Sequence, residues 1–394
     1  MIRRRHVFYL AGYDPLGLAH YNRLFKRETA RSRKIWPVDI NVTDAVMAAD
    51  SKSGQWQIES SGPDWQVSTT YEYLRWDDLI TRHMKRPMPI VLLRTLLCLL
   101  EYLFNGTVFR IFRSSWRFGL FYLSSILALL LLAAIPAAIL VLSGKLLTQP
   151  WGWFVGAALA LGAYTGGRKV AERWAVFQLC AAWIWFHDWM HGRTPECLVR
   201  YDEFAQRIVA KALAHDVDEI VIIGHSGGGT ISLPVVARAL ELNPDFPRSA
   251  PPVTLLVLGS SLPMAALHPR GAHVREAIRR VAAEPGLVWI DVQARKDAMN
   301  FYNSDMVEGA GVDMRTAQHN PYYWRIRYRD SLAPELYNRL RWDLIRMHFQ
   351  FIMANDRRAA FDYVMLVSGP APVRDWPQSN ALLRFAADAS YAQP

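Results

Sequence analysis

The feature that most constrains the fold of this chain is a long stretch without a single charged residue, from Phe118 to Leu142. Leu, Ala and Ile dominate it. A helix rises about 1.5 Å per residue, so a stretch of this length can cross a hydrocarbon core of about 30 Å. Pro136 lies inside it and is tolerated, because a membrane helix satisfies the freed carbonyl locally. We predict a transmembrane helix over about residues 118–142.

A second uncharged stretch follows after a short break, from Leu146 to Gly167. Trp151 and Trp153 near its start are typical of a membrane interface, and its many Gly and Ala residues allow close helix packing. We predict a second transmembrane helix over about residues 146–167, which completes a hairpin. Two buried core helices, or a hairpin lying within the interface, are the alternatives.

Basic residues flank the hairpin on one side. The loop between the two stretches holds only Lys145. Because positive residues stay cytoplasmic, we predict an inner-membrane protein of a bacterial type whose soluble parts face the cytoplasm. The stretch from Ile90 to Phe112 is interrupted by charges and predicts an amphipathic surface helix over about residues 90–112. The flanking basic residues are Arg110, Arg113, Arg117, Arg168, Lys169 and Arg173.

The composition agrees with a membrane location. The chain has 394 residues, of which 52% are hydrophobic and 12% aromatic, and its formal net charge is +10. The basic residues are not gathered into one arm, and several flank apolar stretches. This distribution favours an anionic membrane surface over nucleic acid. We therefore expect membrane lipids as partners and no nucleic acid, and the sequence leaves the oligomeric state open.

The hairpin divides α/β material into two parts. We predict an N-terminal part over residues 1–86, a membrane insertion over 87–173 and a C-terminal part over 174–394. In the first part, apolar patterns predict an opening strand from Val7, a helix over 18–31 and strands over 38–42 and 65–74. Gly54 and the residues 60–63 predict turns between the last two strands.

The chemistry is concentrated around one serine. The apolar, β-branched segment Glu219 to Gly224 predicts a buried parallel strand. It leads into Gly224-His-Ser-Gly-Gly-Gly229, and an amphipathic helix is predicted from Thr230 to Leu240. This is G-x-S-x-G in the context of strand, sharp turn and helix. The helix N-terminus favours negative charge on Ser226, so we predict Ser226 as a nucleophile.

Other interpretations of the glycines fit less well. A phosphate-binding P-loop requires a Lys directly after its last Gly, and a dinucleotide fingerprint requires G-x-G-x-x-G. Neither pattern is present around Ser226.

The segment resembles the nucleophile elbow of the α/β-hydrolase superfamily of serine esterases and lipases. The resemblance covers the opening strand and the chain from about residue 196 onward, but not the apolar insertion. It implies a mostly parallel sheet and a triad in the order Ser, Asp or Glu, His. The segment from Arg346 to Asp356 is also similar to membrane-linked bacterial hydrolases of this type.

The resemblance implies an acid on the loop after a late strand. Strands are predicted at Val253–Gly259 and Leu287–Val292, and Asp297 follows the second. We prefer Asp297 as the acid that orients the base. Asp291, within that strand, and Asp305 are the alternatives.

Two histidines are candidates for the base. An edge strand is predicted over 322–329, and the superfamily's histidine follows the last strand, which favours His348. His319 precedes that strand on a loop-like segment and remains the alternate base. His225 adjoins the nucleophile, and we expect a packing or pocket role for it.

The oxyanion hole requires two backbone N–H donors. The superfamily pattern assigns one to Gly227, the residue after the nucleophile. The other is expected from the loop after the opening strand, at Gly12 and Tyr13.

No cofactor or metal site is predicted. The three cysteines are widely spaced without a metal-ligand pattern, and their use is compatible with a reducing compartment. His187 and His191 lie four residues apart on an aromatic-rich helix. The position where a zincin carries Glu holds Asp188, which directly follows His187 and which we expect to point elsewhere on the helix. We therefore expect a structural or interfacial role for the pair.

Together these features predict a membrane-anchored serine hydrolase. Ser226 would attack an ester carbonyl, form an acyl-enzyme and release it to water. The membrane location and the aromatic region favour a lipid-derived or otherwise apolar ester. An acyltransferase using the same serine, and a non-catalytic scaffold with this fold, are the alternatives.

Overall fold

The computed structural model describes residues 1–147, 149–379 and 381–392. Within them the chain forms nine strands: β1 Arg4–Leu10, β2 Asp39–Val42, β3 Val46–Met47, β4 Ser53–Ser61, β5 Gln66–Leu74, β6 Glu219–His225, β7 Val253–Leu258, β8 Leu287–Ala294 and β9 Tyr322–Ile326.

The helices of the described residues fall into two groups. Those before β6 are α1 Gly17–Ser32, α2 Asp77–Met84, α3 Met88–Phe104, α4 Thr107–Ser114, α5 Trp116–Leu146, α6 Trp151–Arg173, α7 Val176–Met190 and α8 Pro195–Ala214. Those after it are α9 Gly227–Leu242, α10 Phe246–Ser249, α11 Leu262–Ala266, α12 Ala272–Ala283, α13 Tyr328–Ser331, α14 Pro334–Leu340, α15 Leu344–Phe349, α16 Tyr363–Ser368 and α17 Trp376–Ser379.

All nine strands belong to one sheet, in the order β2-β4-β5-β1-β6-β7-β8-β9, with β3 paired to β4. In the part of the sheet ordered β5-β1-β6-β7-β8-β9, neighbouring strands are parallel. At the other end of the sheet, β4 pairs in antiparallel fashion with β2, β3 and β5. The α/β class is confirmed. The prediction of a mostly parallel sheet is wrong, because the sheet is mixed.

The missed element is β4. We expected turns at Gly54 and over residues 60–63, but β4 extends through Gly54 to Ser61, and only the residues after it turn. Trp56 and Ile58 alternate with exposed neighbours and are buried, as in a half-buried strand. Gly54 is required there because a Cβ would overlap the side chain of Leu18 on α1.

The core has two layers, one on each face of the sheet. Alternate residues of the central strands point to opposite faces. On β6, Ile220 and Ile222 pack in the layer that contains α7, α8, α9 and α12. Val221 and Ile223 pack in the layer that contains α1 and α16. The near-continuous apolar sequence of β6 is thus explained by burial on both faces.

The predicted hairpin is present as two packed helices, α5 and α6. Of the described helices, only α5 is by itself long and apolar enough to cross a membrane. Leu120, Leu127, Leu131 and Ile135 on α5 are exposed. The second predicted transmembrane segment, over about residues 146–167, is therefore confirmed as helical but not as a membrane span. Its helix, α6, is rich in Gly and Ala and ends in a charged turn, which lowers its hydropathy.

The predicted amphipathic helix over residues 90–112 is wrong as a single element. The chain forms α3 and α4 instead, because Gly106 adopts a left-handed conformation (φ 76°) between them. The helices α2 and α3, which precede α4, are together long and apolar enough for one broken membrane span, but the chain bends by 103° between them.

A buried ion pair joins the two parts of the chain at the centre of the sheet. Arg5 Nε on β1 lies 2.7 Å from Glu219 Oε2 on β6, and both side chains are fully buried. The other guanidinium nitrogens of Arg5 donate to the carbonyls of Val367, Gly369 and Ala371. One cation thus fastens β1, β6 and the C-terminal segment together.

We predict that Arg5→Met lowers the free energy of unfolding by about 3–5 kcal/mol, because it leaves Glu219 buried without its partner. Chemical denaturation of the detergent-solubilised protein measures this. The control is Arg4→Met, since Arg4 lies on the same strand but is exposed, and it should change stability by less than about 0.5 kcal/mol. Equal effects of the two substitutions would contradict the prediction.

Candidate active site

Ser226 lies at a sharp bend between β6 and α9. Its backbone angles are φ 58° and ψ −125°, a region that side-chain-bearing residues rarely occupy. Such strain is of order 1–3 kcal/mol and persists only where the surrounding structure enforces it. Here the Ser226 N–H donates to Leu258 O at 2.9 Å, and the Gly229 N–H donates to Ser226 O at 2.9 Å.

The glycines around Ser226 are required by close backbone contacts. A Cβ at Gly224 would lie 2.7 Å from the carbonyl oxygen of Gly228. A Cβ at Gly228 would overlap the carbonyl oxygen of Leu10 at the end of β1. The first and last positions of G-x-S-x-G therefore admit only glycine. The bend at Ser226 is therefore in close contact with the end of β1.

Asp297 and His348, the preferred acid and base, are hydrogen-bonded. His348 Nδ1 lies 2.9 Å from Asp297 Oδ2, and both side chains are buried. Asp297 follows β8 in a turn closed by its own N–H to Ala294 O at 3.1 Å. Its second oxygen accepts from the Met299 N–H at 2.8 Å. A carboxylate held on both oxygens can fix the orientation of the imidazole.

His225 supports His348 from below. The two rings stack with centroids 4.9 Å apart. His225 Nε2 lies 3.2 Å from the carbonyl oxygen of His348, and this nitrogen is the donor because a carbonyl only accepts. Burial holds the pKa of His225 well below its ordinary value, so the ring stays neutral. His225 therefore packs against α15, the helix that carries the candidate base, and also lines the cavity, which is the packing or pocket role expected from the sequence.

Ser226 and His348 line the same cavity, which has a volume of about 260 Å³. Within the described part of the chain, His348 Nε2 has no hydrogen-bond partner. The Ser226 hydroxyl is thus not hydrogen-bonded to it in this conformation. In structures without substrate such bonds are often long and tighten only on binding.

The expected oxyanion donors lie together beside Ser226. Gly227 is the first residue of α9, so its N–H has no acceptor within the helix. A Cβ at Gly227 would lie 3.1 Å from the Tyr13 nitrogen, which shows how close the two backbone segments are. Gln178 on α7 donates to Tyr13 O at 2.8 Å and fixes this loop. A Cβ at Gly12 would lie 3.3 Å from Ser226 Oγ, so the backbone of Gly12 also lies close to the hydroxyl.

The alternative acids, Asp291 and Asp305, and the alternate base, His319, do not line the cavity of Ser226. Asp291 is buried in β8 and accepts from Gln293 at 2.9 Å, and burial raises its pKa to about 7. Asp305 accepts from two backbone N–H groups after it. His319 is exposed and precedes β9, whereas Ser226 follows β6. Because β6 to β9 are parallel, these two residues lie at opposite edges of the sheet.

The wall of the cavity comes from helices whose role was open at the level of sequence. The aromatic sequence pattern after residue 172 is compatible with a lid, a membrane-facing belt or core. In the structure α5 and α7 both contribute apolar side chains to the cavity, and these are Phe118, Phe121, Leu179, Ala182, Trp183 and Phe186. No sequence signal distinguished these residues from the rest of the two helices.

Fold and site together define an α/β protein with a mixed sheet and a strained serine beside a buried Asp–His pair. Comparisons with protein-family models, curated proteins and solved structures gave no match to the chain.

We predict that Gly12→Ala lowers the rate of Ser226 labelling by a fluorophosphonate, but by less than the roughly 100-fold that a 1 Å displacement of reacting atoms costs, because the contact requires Ser226 to shift by only a few tenths of an ångström. The reason is steric, since the new Cβ would lie 3.0 Å from Ser226 Cβ and 3.3 Å from Oγ. Gly162→Ala on α6 is the control, because no atom lies within 4 Å of its Cβ position. Unchanged labelling of the Gly12 variant would contradict this geometry.

Proposed function

We propose that this protein is a membrane-associated serine hydrolase of the α/β-hydrolase type that cleaves apolar carboxylic esters. The observation that carries the proposal is the strained bend at Ser226, which faces the same cavity as a histidine hydrogen-bonded to a buried aspartate. Strained backbone of this kind clusters at active sites. A serine with an oriented base within one cavity is the arrangement of a nucleophile.

The chemistry follows from the roles of these groups. Ser226 Oγ attacks the ester carbonyl, and His348 Nε2 takes the hydroxyl proton. Asp297 stabilises the imidazolium through Nδ1. The negative oxygen of the tetrahedral intermediate lies against the N–H groups of Tyr13 and Gly227. His348 then returns the proton to the leaving alcohol. Water attacks the acyl-enzyme by the same steps in reverse and releases the acid.

The surroundings of the cavity support an apolar acyl group. A second cavity of about 420 Å³ lies along α5 and α6, and both cavities are lined by Phe121 and Leu179. Its other lining residues are mostly aliphatic. An acyl chain can thus extend from Ser226 past these two side chains towards the exposed apolar surface of α5.

The membrane location is part of the proposal. One helix of sufficient length and apolarity, α5, supports insertion. The basic residues at the ends of α5 and α6 favour an inner membrane with the sheet on the cytoplasmic side. An acyltransferase would use the same serine and pass the acyl group to an alcohol other than water.

Substitutions of the three reacting residues test the proposed mechanism. Ser226→Ala should abolish fluorophosphonate labelling and lower ester hydrolysis on the order of 10⁶-fold. His348→Ala should lower hydrolysis to a similar extent, whereas Asp297→Asn should lower it on the order of 10⁴-fold. Hydrolysis by purified protein in detergent measures these rates.

The matched control is His319→Ala, which removes an exposed imidazole from the opposite edge of the sheet and should keep full activity. Hydrolysis that survives in Ser226→Ala would sink the mechanism. Folded wild-type protein that takes no label would favour a scaffold. Product analysis with an added alcohol distinguishes hydrolysis from acyl transfer.

A substitution at Leu179 tests whether the cavities accommodate a long acyl chain of the ester substrate. Leu179→Trp fills the passage between the two cavities, so kcat/KM for a long-chain ester should fall about 10-fold or more. An acetyl ester needs no passage, and its hydrolysis should stay within about twofold of wild type. Leu198→Trp is the control, because Leu198 is exposed on α8. An equal loss for both esters would argue against the passage.

A further inference from the structure

A second cluster of chemically active side chains lies outside the cavity, between α3 and α7. Glu101 on α3 faces His187 on α7 and His191, the residue that follows the last residue of α7. Glu101 Oε2 lies 2.7 Å from His187 Nε2, and Oε1 lies 3.0 Å from His191 Nε2. One ligand atom from each of the three residues falls within 4.8 Å of the others. A third ligand for the His187–His191 pair thus comes from another helix.

The hydrogen bonds of His191 show that its ring is oriented as a metal ligand. His191 Nδ1 lies 2.8 Å from the carbonyl oxygen of His187, so Nδ1 carries the proton. In the neutral ring Nε2 then presents a lone pair to a carboxylate oxygen 3.0 Å away. Two acceptors at this distance require a cation between them or a second proton on the ring. A metal-bound histidine typically donates its other N–H to a carbonyl in this manner.

His187 presents its Nε2 to Glu101, whereas its Nδ1 has no hydrogen-bond partner among the described residues, since Asp188 Oδ1 is 3.7 Å away. Asp188 is buried and is ion-paired with Arg86 and Arg94. The rings of His187 and His191 are stacked with centroids 4.2 Å apart. The Nε2 atoms of both rings lie within 3.0 Å of the Glu101 carboxylate.

His268 borders the cluster but is not counted among the ligands. Its Nε2 lies 3.4 Å from Glu101 Oε1. His268 Nδ1 accepts from the Arg270 N–H at 3.2 Å, so in the neutral ring Nε2 carries the proton and offers no lone pair to a metal ion.

We propose that Glu101, His187 and His191 bind one divalent transition-metal ion of the Zn²⁺ type. Two imidazoles and one carboxylate form a donor set that such ions favour, and it leaves coordination positions open. The two histidines are buried, whereas the Glu101 side chain is 35% exposed, so an ion can enter from that side.

The bound ion links α3 to α7. Phe186, the neighbour of His187, lines the cavity of Ser226. The metal therefore fixes the helix that forms one wall of that cavity. This proposal does not depend on the reactivity of Ser226.

The test uses the full-length protein in detergent, stripped with a chelator and titrated with Zn²⁺ and separately with Co²⁺. Wild type should bind one ion per chain and show Co²⁺ visible absorption. Glu101→Gln and His191→Ala should weaken Zn²⁺ binding by more than about 10–100-fold, the loss already seen when only a ligand-orienting group is removed. Saturating Zn²⁺ should raise the Tm of wild type but not of the variants.

His273→Ala is the matched control, because His273 packs against Trp189 on the same helix but does not face Glu101. It should bind Zn²⁺ like wild type. Folding of each variant is checked by its own thermal transition. Folded wild type without bound Zn²⁺, or Glu101→Gln and His191→Ala proteins with wild-type affinity, would overturn the proposal. The first result would leave a doubly protonated His191 paired with Glu101.

Discussion

The structure depends on the parallel pairing of β1 with β6, two strands that are separated in sequence by the whole apolar insertion over residues 87–173. Arg5 pairs with Glu219 in the ladder, and their side chains form the buried ion pair. Because parallel neighbours end at the same edge of a sheet, this pairing brings the loop after β1 beside the bend after β6. Gly12 and Tyr13 therefore contact Ser226 and Gly227 only when the two parts of the chain are joined correctly.

Much of this arrangement was predictable, because it is encoded locally. The apolar, β-branched segment before residue 224, the glycines at 224 and 228 and the helix pattern after them led to Ser226, and the loop after β8 led to Asp297. The preference for His348 over His319 came from the order of the residues in the resembled superfamily and from the similarity of the segment Arg346 to Asp356. The structure accounts for that preference, since residues before and after parallel strands lie at opposite edges. The catalytic roles themselves remain predictions.

The errors arose where long-range contacts decide the local structure. Gly54 indicated a turn, but it lies within β4 because it pairs with Met47 on β3 and with Tyr73 on β5. The antiparallel pairing of β4 with β5 makes the sheet mixed, and no local sequence pattern predicted this pairing. Gly106 splits the predicted surface helix because its left-handed conformation redirects the chain. The carboxylate of Glu101 meets His187 and His191 through tertiary packing, so spacing along one helix did not reveal it.

The apolar insertion does more than provide a hydrophobic helix. Phe118 and Phe121 at the start of α5 line the cavity of Ser226, while the middle of α5 presents exposed leucines. One helix thus connects the wall of the cavity to the surface suited to lipid. On α7, Phe186 faces the cavity and the adjacent His187 faces Glu101, so α7 links α3 to the same wall. A movement of the insertion relative to the sheet would therefore change the shape of the cavity, because side chains of α5 line it together with residues of the sheet's loops.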